Sequence, residues 1–172
     1  MGGETTEMAN AHEQHAKDAD RVKTARDALD TARRRGVPLV LPVDTVVAAG
    51  PDSPSGRAVP VREIPDDQMG LDIGPLTVDR FEGALKGART IVWNGPMGVF
   101  EKPPFAAGTL AVARAVARAT AFTVIGGGDT VAAVNQAGVA DRIGYISTAG
   151  GAFLEFLEGR PLPGVEALSE AA

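Results

Sequence analysis

Cysteine is absent from all 172 residues, which excludes disulfides and thiolate metal sites outright. That absence fits a reducing compartment. Positive charge is also scarce: 17 Lys and Arg against 22 Asp and Glu leave a net charge of −5. A nucleic-acid binder presents a clustered basic surface, so no nucleic-acid partner is expected. No apolar run approaches the roughly 20 residues that span a bilayer, and the N-terminus lacks the apolar core of a secretory signal. Met1-Gly2 with Thr6 fits the loose myristoylation pattern. No basic cluster or second lipid site follows, however, and one acyl chain does not anchor stably. Internal repeats and low-complexity tracts are missing, as are the Walker P-loop and the dinucleotide GxGxxG pattern. Together these absences lead to the expectation of a soluble cytoplasmic protein with no membrane partner.

What is present suits a globular chain of one ordinary domain, with 44% hydrophobic and 23% charged residues. Residues 1–15 are polar and read as a poorly ordered terminus. From about Lys17 to Arg35, Val22, Ala25, Ala28, Leu29 and Ala32 recur at helical spacing, with Gly36 placed to end the helix. Arg33-Arg34-Arg35 complements the dipole at that end. Val37-Pro38-Leu39-Val40-Leu41-Pro42-Val43 reads as a buried strand. Residues 49–70, rich in Pro, Gly, Asp and Ser, read as one long surface excursion with a turn at Asp66-Asp67.

Alternation then sets in, with a helix near 76–86 and a strand at 89–93. A helix near 105–119, a strand at 122–126 and a helix near 130–137 come next. A short strand at 143–146 leads to a helix near 151–158, ended by Gly159 and Pro161. Alternating strands and helices imply an α/β fold with a parallel sheet covered on both faces. Ligands of such sheets sit at the carboxyl ends of the strands.

Three glycine-rich turns fall at those ends. Gly126-Gly127-Gly128-Asp129-Thr130 follows one strand and opens a helix. Three consecutive glycines carry an entropic penalty unless close approach or positive φ is needed, and a helix N-terminus attracts phosphate. Asp129 could hold the magnesium that accompanies a nucleotide, since Mg²⁺ takes one or two carboxylates plus phosphate oxygens. The bland alternative is a tight turn with Asp129 or Thr130 as N-cap. In Asn94-Gly95-Pro96-Met97-Gly98-Val99-Phe100-Glu101, Glu101 could accept hydrogen bonds from a ribose diol and Asn94 could offer an amide. The alternative there is a rigid turn with Phe100 in the core. Ser147-Thr148-Ala149-Gly150-Gly151-Ala152 again leaves amides open at a helix start, beside capping by Ser147 or Thr148. Trp93 reads as core, and His12 and His15 as solvated.

These motifs, with Leu41-Pro42-Val43-Asp44, Ile64-Pro65-Asp66-Asp67 and Met69-Gly70-Leu71-Asp72-Ile73-Gly74-Pro75, resemble the C-terminal nucleotide-binding domain of phosphoglycerate kinase. The spacing stays in step from about residue 20 to 168. The resemblance implies a three-layer Rossmann-like parallel sheet lacking the family's first strand or strands. Residues 20–172 would form a partial domain behind a poorly matched segment 1–19.

The resemblance further implies reversible phosphoryl transfer between 1,3-bisphosphoglycerate and ADP, giving 3-phosphoglycerate and Mg-ATP in glycolysis. Gly70 and Leu71 would line the adenine pocket and Glu101 would hold the ribose. Asn94 would sit over the nucleotide near Pro96. Gly127, Gly128, Asp129 and Thr130 would bind the phosphates and their Mg²⁺, while Gly150 and Gly151 would face the transferred group. The family is usually monomeric.

Family members are about twice this length. The part that binds phosphoglycerate, and a glycine-rich segment with two lysines, have no counterpart here. Ala149 stands where glycine is usual, and Gly144-Tyr145 replaces a commoner Ser-His pair. The expectation is therefore half an active site, binding nucleotide weakly and without turnover alone. The competing reading is a non-catalytic nucleotide-binding or interaction module derived from the enzyme. An oxidoreductase with a dinucleotide site is disfavoured by the missing fingerprint.

Overall fold

The computed structural model describes residues 4–147, 149, 151–163 and 166–167, with side chains from residue 20 onward. It divides into two compact units, Met1–Val40 and Leu41–Ala172.

The first unit is one helix, α1 (Glu4–Arg35), and the residues that leave it. It starts well before the expected Lys17, and residues 4–19 belong to it rather than to a poorly ordered terminus. That stretch has no glycine or proline and is rich in Ala and Glu, both good helix formers. Its lack of an apolar stripe hid it from a periodicity reading. The C-terminus closes as expected: Gly36 has φ +64°, and the N–H groups of Gly36 and Val37 donate to the carbonyls of Arg33 and Ala32. This paired 5→2 and 6→1 pattern is the Schellman motif.

The strand expected over residues 37–43 does not form. Val37, Leu39 and Leu41 are 58%, 51% and 50% exposed, and no strand among the described residues pairs with the segment. An apolar run becomes a strand only when a neighbour takes up its backbone groups.

The second unit holds two three-stranded sheets. In the first, β1 (Asp44–Ala48) lies between β2 (Arg57–Pro60) and β3 (Met69–Ile73), antiparallel to both, with a bulge between Val46 and Val47. β2 and the first two residues of β3 fall within residues 49–70, which the sequence presents as one surface excursion. β2 buries only Val59 and ends at Pro60, so no apolar run announces it. The turn at Asp66-Asp67 is as expected, closed by Gln68 N–H donating to Pro65.

The second sheet is parallel, in the order β4 (Thr90–Asn94), β5 (Phe122–Gly126), β6 (Tyr145–Ser147). Its connections run through α3 (Ala107–Arg118) and α4 (Gly128–Gln136). Helix α2 (Pro75–Leu85) precedes it and α5 (Gly151–Leu157) follows it. On one face Ile91, Trp93 and Ile125 pack with Val112, Ala113 and Val116 of α3 and Ala133 and Val134 of α4. Removing each of the Val and Ile side chains from water contributes roughly 1.5–3 kcal/mol. The other face carries Phe153 of α5 against Gly126 and leaves Val92, Phe122 and Tyr145 46%, 58% and 57% exposed. Gly144 has a simple explanation: a Cβ there would sit 3.0 Å from the Thr123 carbonyl and 3.2 Å from the Phe122 ring.

Neither α2 nor α3 has a side-chain cap of its own. Each is capped from a strand. The buried Asp44 carboxylate of β1 accepts the N–H groups of Leu76 (3.0 Å) and Thr77 (2.7 Å) and the Thr77 hydroxyl (2.6 Å). The buried Asp72 of β3 accepts Gly108 N–H at 2.7 Å and Ile73 N–H at 2.9 Å.

The two carboxyls are displaced in opposite directions. Burial pushes Asp44 up, but the Thr77 hydroxyl and the N–H groups of Leu76 and Thr77 outweigh it and hold it below the usual range. Burial dominates at Asp72 and raises it, with the N–H groups of Gly108, Ile73 and Thr109 opposing. Stability from Asp44 is therefore present above its unfolded value, about 4, and is lost as pH falls through its folded value. At Asp72 the sign reverses, and stability falls as pH rises from the unfolded value through the folded one.

Asp44→Asn is expected to lower the unfolding free energy by about 1–2 kcal/mol at pH 7. Urea denaturation at a series of pH values should show the difference from wild type closing below about pH 4. A difference that stays constant from pH 7 to pH 3 would contradict the capping role.

Candidate nucleotide site

The register of the parallel sheet assembles the site. Asn94 pairs with Gly126 and Gly126 with Ser147, so the three strands end side by side and all three glycine turns leave the same edge. That edge is the carboxyl one, where open α/β sheets receive ligands.

The glycines of 126–128 have three different reasons. A Cβ on Gly126 would lie 2.3 Å from the Phe153 ring, so this glycine lets α5 approach β5. Gly127 has φ +88° and is the N-cap of α4, without a side-chain cap. Gly128 is exposed, its φ is not positive, and a Cβ there would meet nothing within 4 Å. Neither packing nor φ accounts for glycine at 128, which leaves room for a ligand as the reason. Neither Asp129 nor Thr130 is the N-cap, so the capping part of the bland alternative does not hold.

Asp129 lies in the first turn of α4, exposed and without a hydrogen-bond or ion-pair partner among the described residues. The first N–H groups of an α-helix have no acceptor within it, and Asp129 lies among those of α4. Among the described residues no group of three or more His, Cys, Asp or Glu could hold a metal by itself. One free carboxylate beside open amides fits Mg²⁺ only together with phosphate oxygens, as is usual for that ion.

Thr130 is placed differently from the rest of its motif. Its side chain is fully buried and its Oγ1 accepts the Gly95 N–H at 2.7 Å. The hydroxyl is directed at the neighbouring turn. Gly95, at φ +99°, also accepts the Trp93 indole N–H at 2.8 Å. Within the same turn Asn94 and Glu101 are exposed, Pro96 is half-buried, and Phe100 and Trp93 lie in the core. A Cβ on Gly127 would stand 3.3 Å from Asn94 Oδ1, which places the Asn94 amide beside the turn at residues 126–130.

Gly70 and Leu71 reach this region through the backbone, where Val99 N–H donates to the Leu71 carbonyl at 2.8 Å. Gly70 is exposed, whereas the Leu71 side chain is buried with Ala48 and Phe105 and offers a ligand little surface. At the third turn Ser147 is buried and its Oγ accepts the Ala149 N–H at 3.3 Å. Gly151 is exposed in open space at the start of α5, while Thr148 and Gly150 lie outside the described residues.

Sequence reading did not single out Thr109, Gln136 or Asp72 as parts of this region. Thr109 sits on the buried stripe of α3 with Val112, Ala113 and Val116, where one polar residue among aliphatic ones was the available signal.

Residues 5–160 match the family model described as phosphoglycerate kinase. The chain is 58% identical over 152 residues to the phosphoglycerate kinase of Pelotomaculum thermopropionicum, covering 88% of this chain and 39% of that protein. It is 62% identical over 145 residues to that of Desulfosudis oleivorans, covering 84% and 37%. Among solved structures, that of phosphoglycerate kinase from Coxiella burnetii matches with a TM-score of 0.81 at 40% identity, covering 88% of this chain and 39% of that one. The chain thus has an α/β fold of the phosphoglycerate kinase type and is a member of the phosphoglycerate kinase family. It spans about two-fifths of the length of the relatives it matches.

The three glycines should separate in thermal or urea unfolding. Gly126→Ala is expected to lose about 1–3 kcal/mol by forcing Phe153 aside, and Gly127→Ala about 1–2 kcal/mol from its positive φ. Gly128→Ala is expected to be neutral or to gain up to about 1 kcal/mol. A loss at Gly128 as large as at Gly127 would remove the argument that its glycine answers to a ligand.

Proposed function

We propose that this chain supplies the nucleotide half of a phosphoglycerate kinase site, which transfers a phosphoryl group reversibly between 1,3-bisphosphoglycerate and ADP in glycolysis. The observation that carries the proposal is the single edge at which Asn94, Gly126 and Ser147 end side by side. Gly70 bounds the adenine, with the main chain of Leu71 behind it, and Glu101 accepts the ribose hydroxyls. Asn94 and Pro96 cover the nucleotide from the β4 side. Gly127, Gly128 and the main-chain N–H of Thr130 receive the phosphates, and Asp129 holds the accompanying Mg²⁺. Gly151, together with Gly150 by the family resemblance, serves the phosphoryl group in transfer.

Phosphoryl transfer depends on alignment and on neutralising charge at the equatorial oxygens more than on covalent chemistry by the protein. The turns here supply amides, one carboxylate and two helix N-termini. They supply no cation: residues 94–101, 126–130 and 147–151 contain neither Lys nor Arg. Lys102, next to the first turn, is engaged by Asp52 at 2.6 Å. Phosphoglycerate and the missing positive charge would come from parts of the family's architecture with no counterpart among these residues. The cation deficit also favours a second reading, a nucleotide-binding module without turnover. No helix among the described residues is long and apolar enough to cross a membrane, which accords with the cytoplasmic location we propose.

Calorimetric titration of Mg-ADP into the 172-residue protein is expected to show weak, Mg²⁺-dependent binding. Asp129→Ala should weaken Mg-ADP at least fivefold while changing metal-free ADP little. A coupled assay with 3-phosphoglycerate and ATP should detect no turnover from these residues alone. Equal Mg-ADP binding by wild type and Asp129→Ala would remove Asp129 from the metal role, and turnover near that of a full-length enzyme would sink the half-site reading.

A further inference from the structure

The nucleoside-end turn, residues 94–101, has little secondary structure of its own. Side chains of two helices hold its backbone. Thr130 Oγ1, at the start of α4, accepts the N–H of Gly95 at 2.7 Å. Gln136 Nε2, at the end of the same helix, donates to the carbonyl of Phe100 at 3.2 Å. Between them, Thr109 Oγ1 of α3 accepts the N–H groups of Met97 (3.0 Å) and Gly98 (3.2 Å). Thr109 and Thr130 are both fully buried. Gly95 and Phe100 nearly bracket the turn, and both are tied to α4, whose N-terminal residues Gly128 and Asp129 form the phosphate end of the site.

We propose that Thr130 and Gln136 are positioning residues that make α4 the common support of both ends of the nucleotide site, with Thr109 as the intermediate tie. On this proposal the Thr130 hydroxyl is not a phosphate ligand. Its single proton can be donated elsewhere, but its position is fixed by accepting from Gly95. Asn94 is then held at the start of α4 beside the phosphate turn, and the distance from that turn to Glu101 is set by the length of α4. A nucleotide that engages both ends gains from that fixed span, because groups held in advance lose less entropy on binding. The inference rests on the nucleotide reading above for its functional consequence, though not for the tether itself.

Two measurements separate the tether from the nucleotide reading. In the ligand-free protein, Thr130→Val is expected to speed amide exchange at Gly95 at least tenfold, and Thr130→Ser to restore it to within about threefold. Gln136→Ala, at an exposed position that folding should tolerate, is expected to speed exchange at Lys102, whose N–H donates to Val99 inside the turn. In binding, Thr130→Val should weaken Mg-ADP at least fivefold and magnesium pyrophosphate less than twofold, with Thr130→Ser close to wild type for both.

Unchanged Gly95 exchange in Thr130→Val would overturn the proposal. So would a loss of magnesium pyrophosphate affinity as large as that of Mg-ADP, which would make the hydroxyl a phosphate ligand. If wild type binds no Mg-ADP, the nucleotide reading fails, while exchange at Gly95 still decides the tether. If Thr130→Val does not fold, Gln136→Ala decides it at Lys102.

Discussion

The structure of the second unit depends on the carboxylate of Asp72. It is buried on β3, it caps α3 through Gly108, and Leu71 beside it receives the Val99 N–H of the turn at residues 94–101. Antiparallel sheet, parallel-sheet helix and site turn therefore meet within two residues. A buried carboxylate is expensive unless hydrogen-bonded, and burial does raise this one. Backbone N–H groups make it tolerable, and those groups belong to elements that would otherwise lack an acceptor. The close approach excludes side chains around it: a Cβ on Gly98 would lie 2.4 Å from the Leu71 carbonyl, and one on Gly108 2.5 Å from Asp72 Oδ1. Asp44 plays the same part for α2.

This pattern explains what could be read from the sequence. The parallel half was legible because each element carries its own signal. Ile91, Trp93 and Ile125 lie in short apolar runs, α3 has a clean stripe, and glycines sit where strands turn into helices. The antiparallel sheet was not legible. β2 buries one residue, β3 begins at an exposed Met69, and the strands hold through register with β1 and through remote caps. Neither feature has a local period. The opposite failure occurred at residues 37–43, where an apolar run has no strand beside it.

The site was legible in outline and misleading in one detail. Glycine runs placed three turns at one sheet edge, and the register agrees. Residue type alone could not show that Gly126 answers to Phe153, Gly127 to its φ, and only Gly128 to open space. Nor could it show that Thr130, embedded in a phosphate-type motif, turns its hydroxyl toward Gly95. A motif fixes where the chain turns. Which groups remain free for a ligand depends on what the rest of the fold consumes.

The central claim is that the three turns act as one nucleotide site. The most direct measurement is an amide chemical-shift titration of the ¹⁵N-labelled protein with Mg-ADP. The account predicts concerted shifts, at one apparent affinity, at Asn94, Gly95 and Glu101 in the first turn and Gly127, Gly128 and Asp129 in the second. Gly151 should follow with them. Shifts confined to a single turn, or arising at separate affinities, would contradict it.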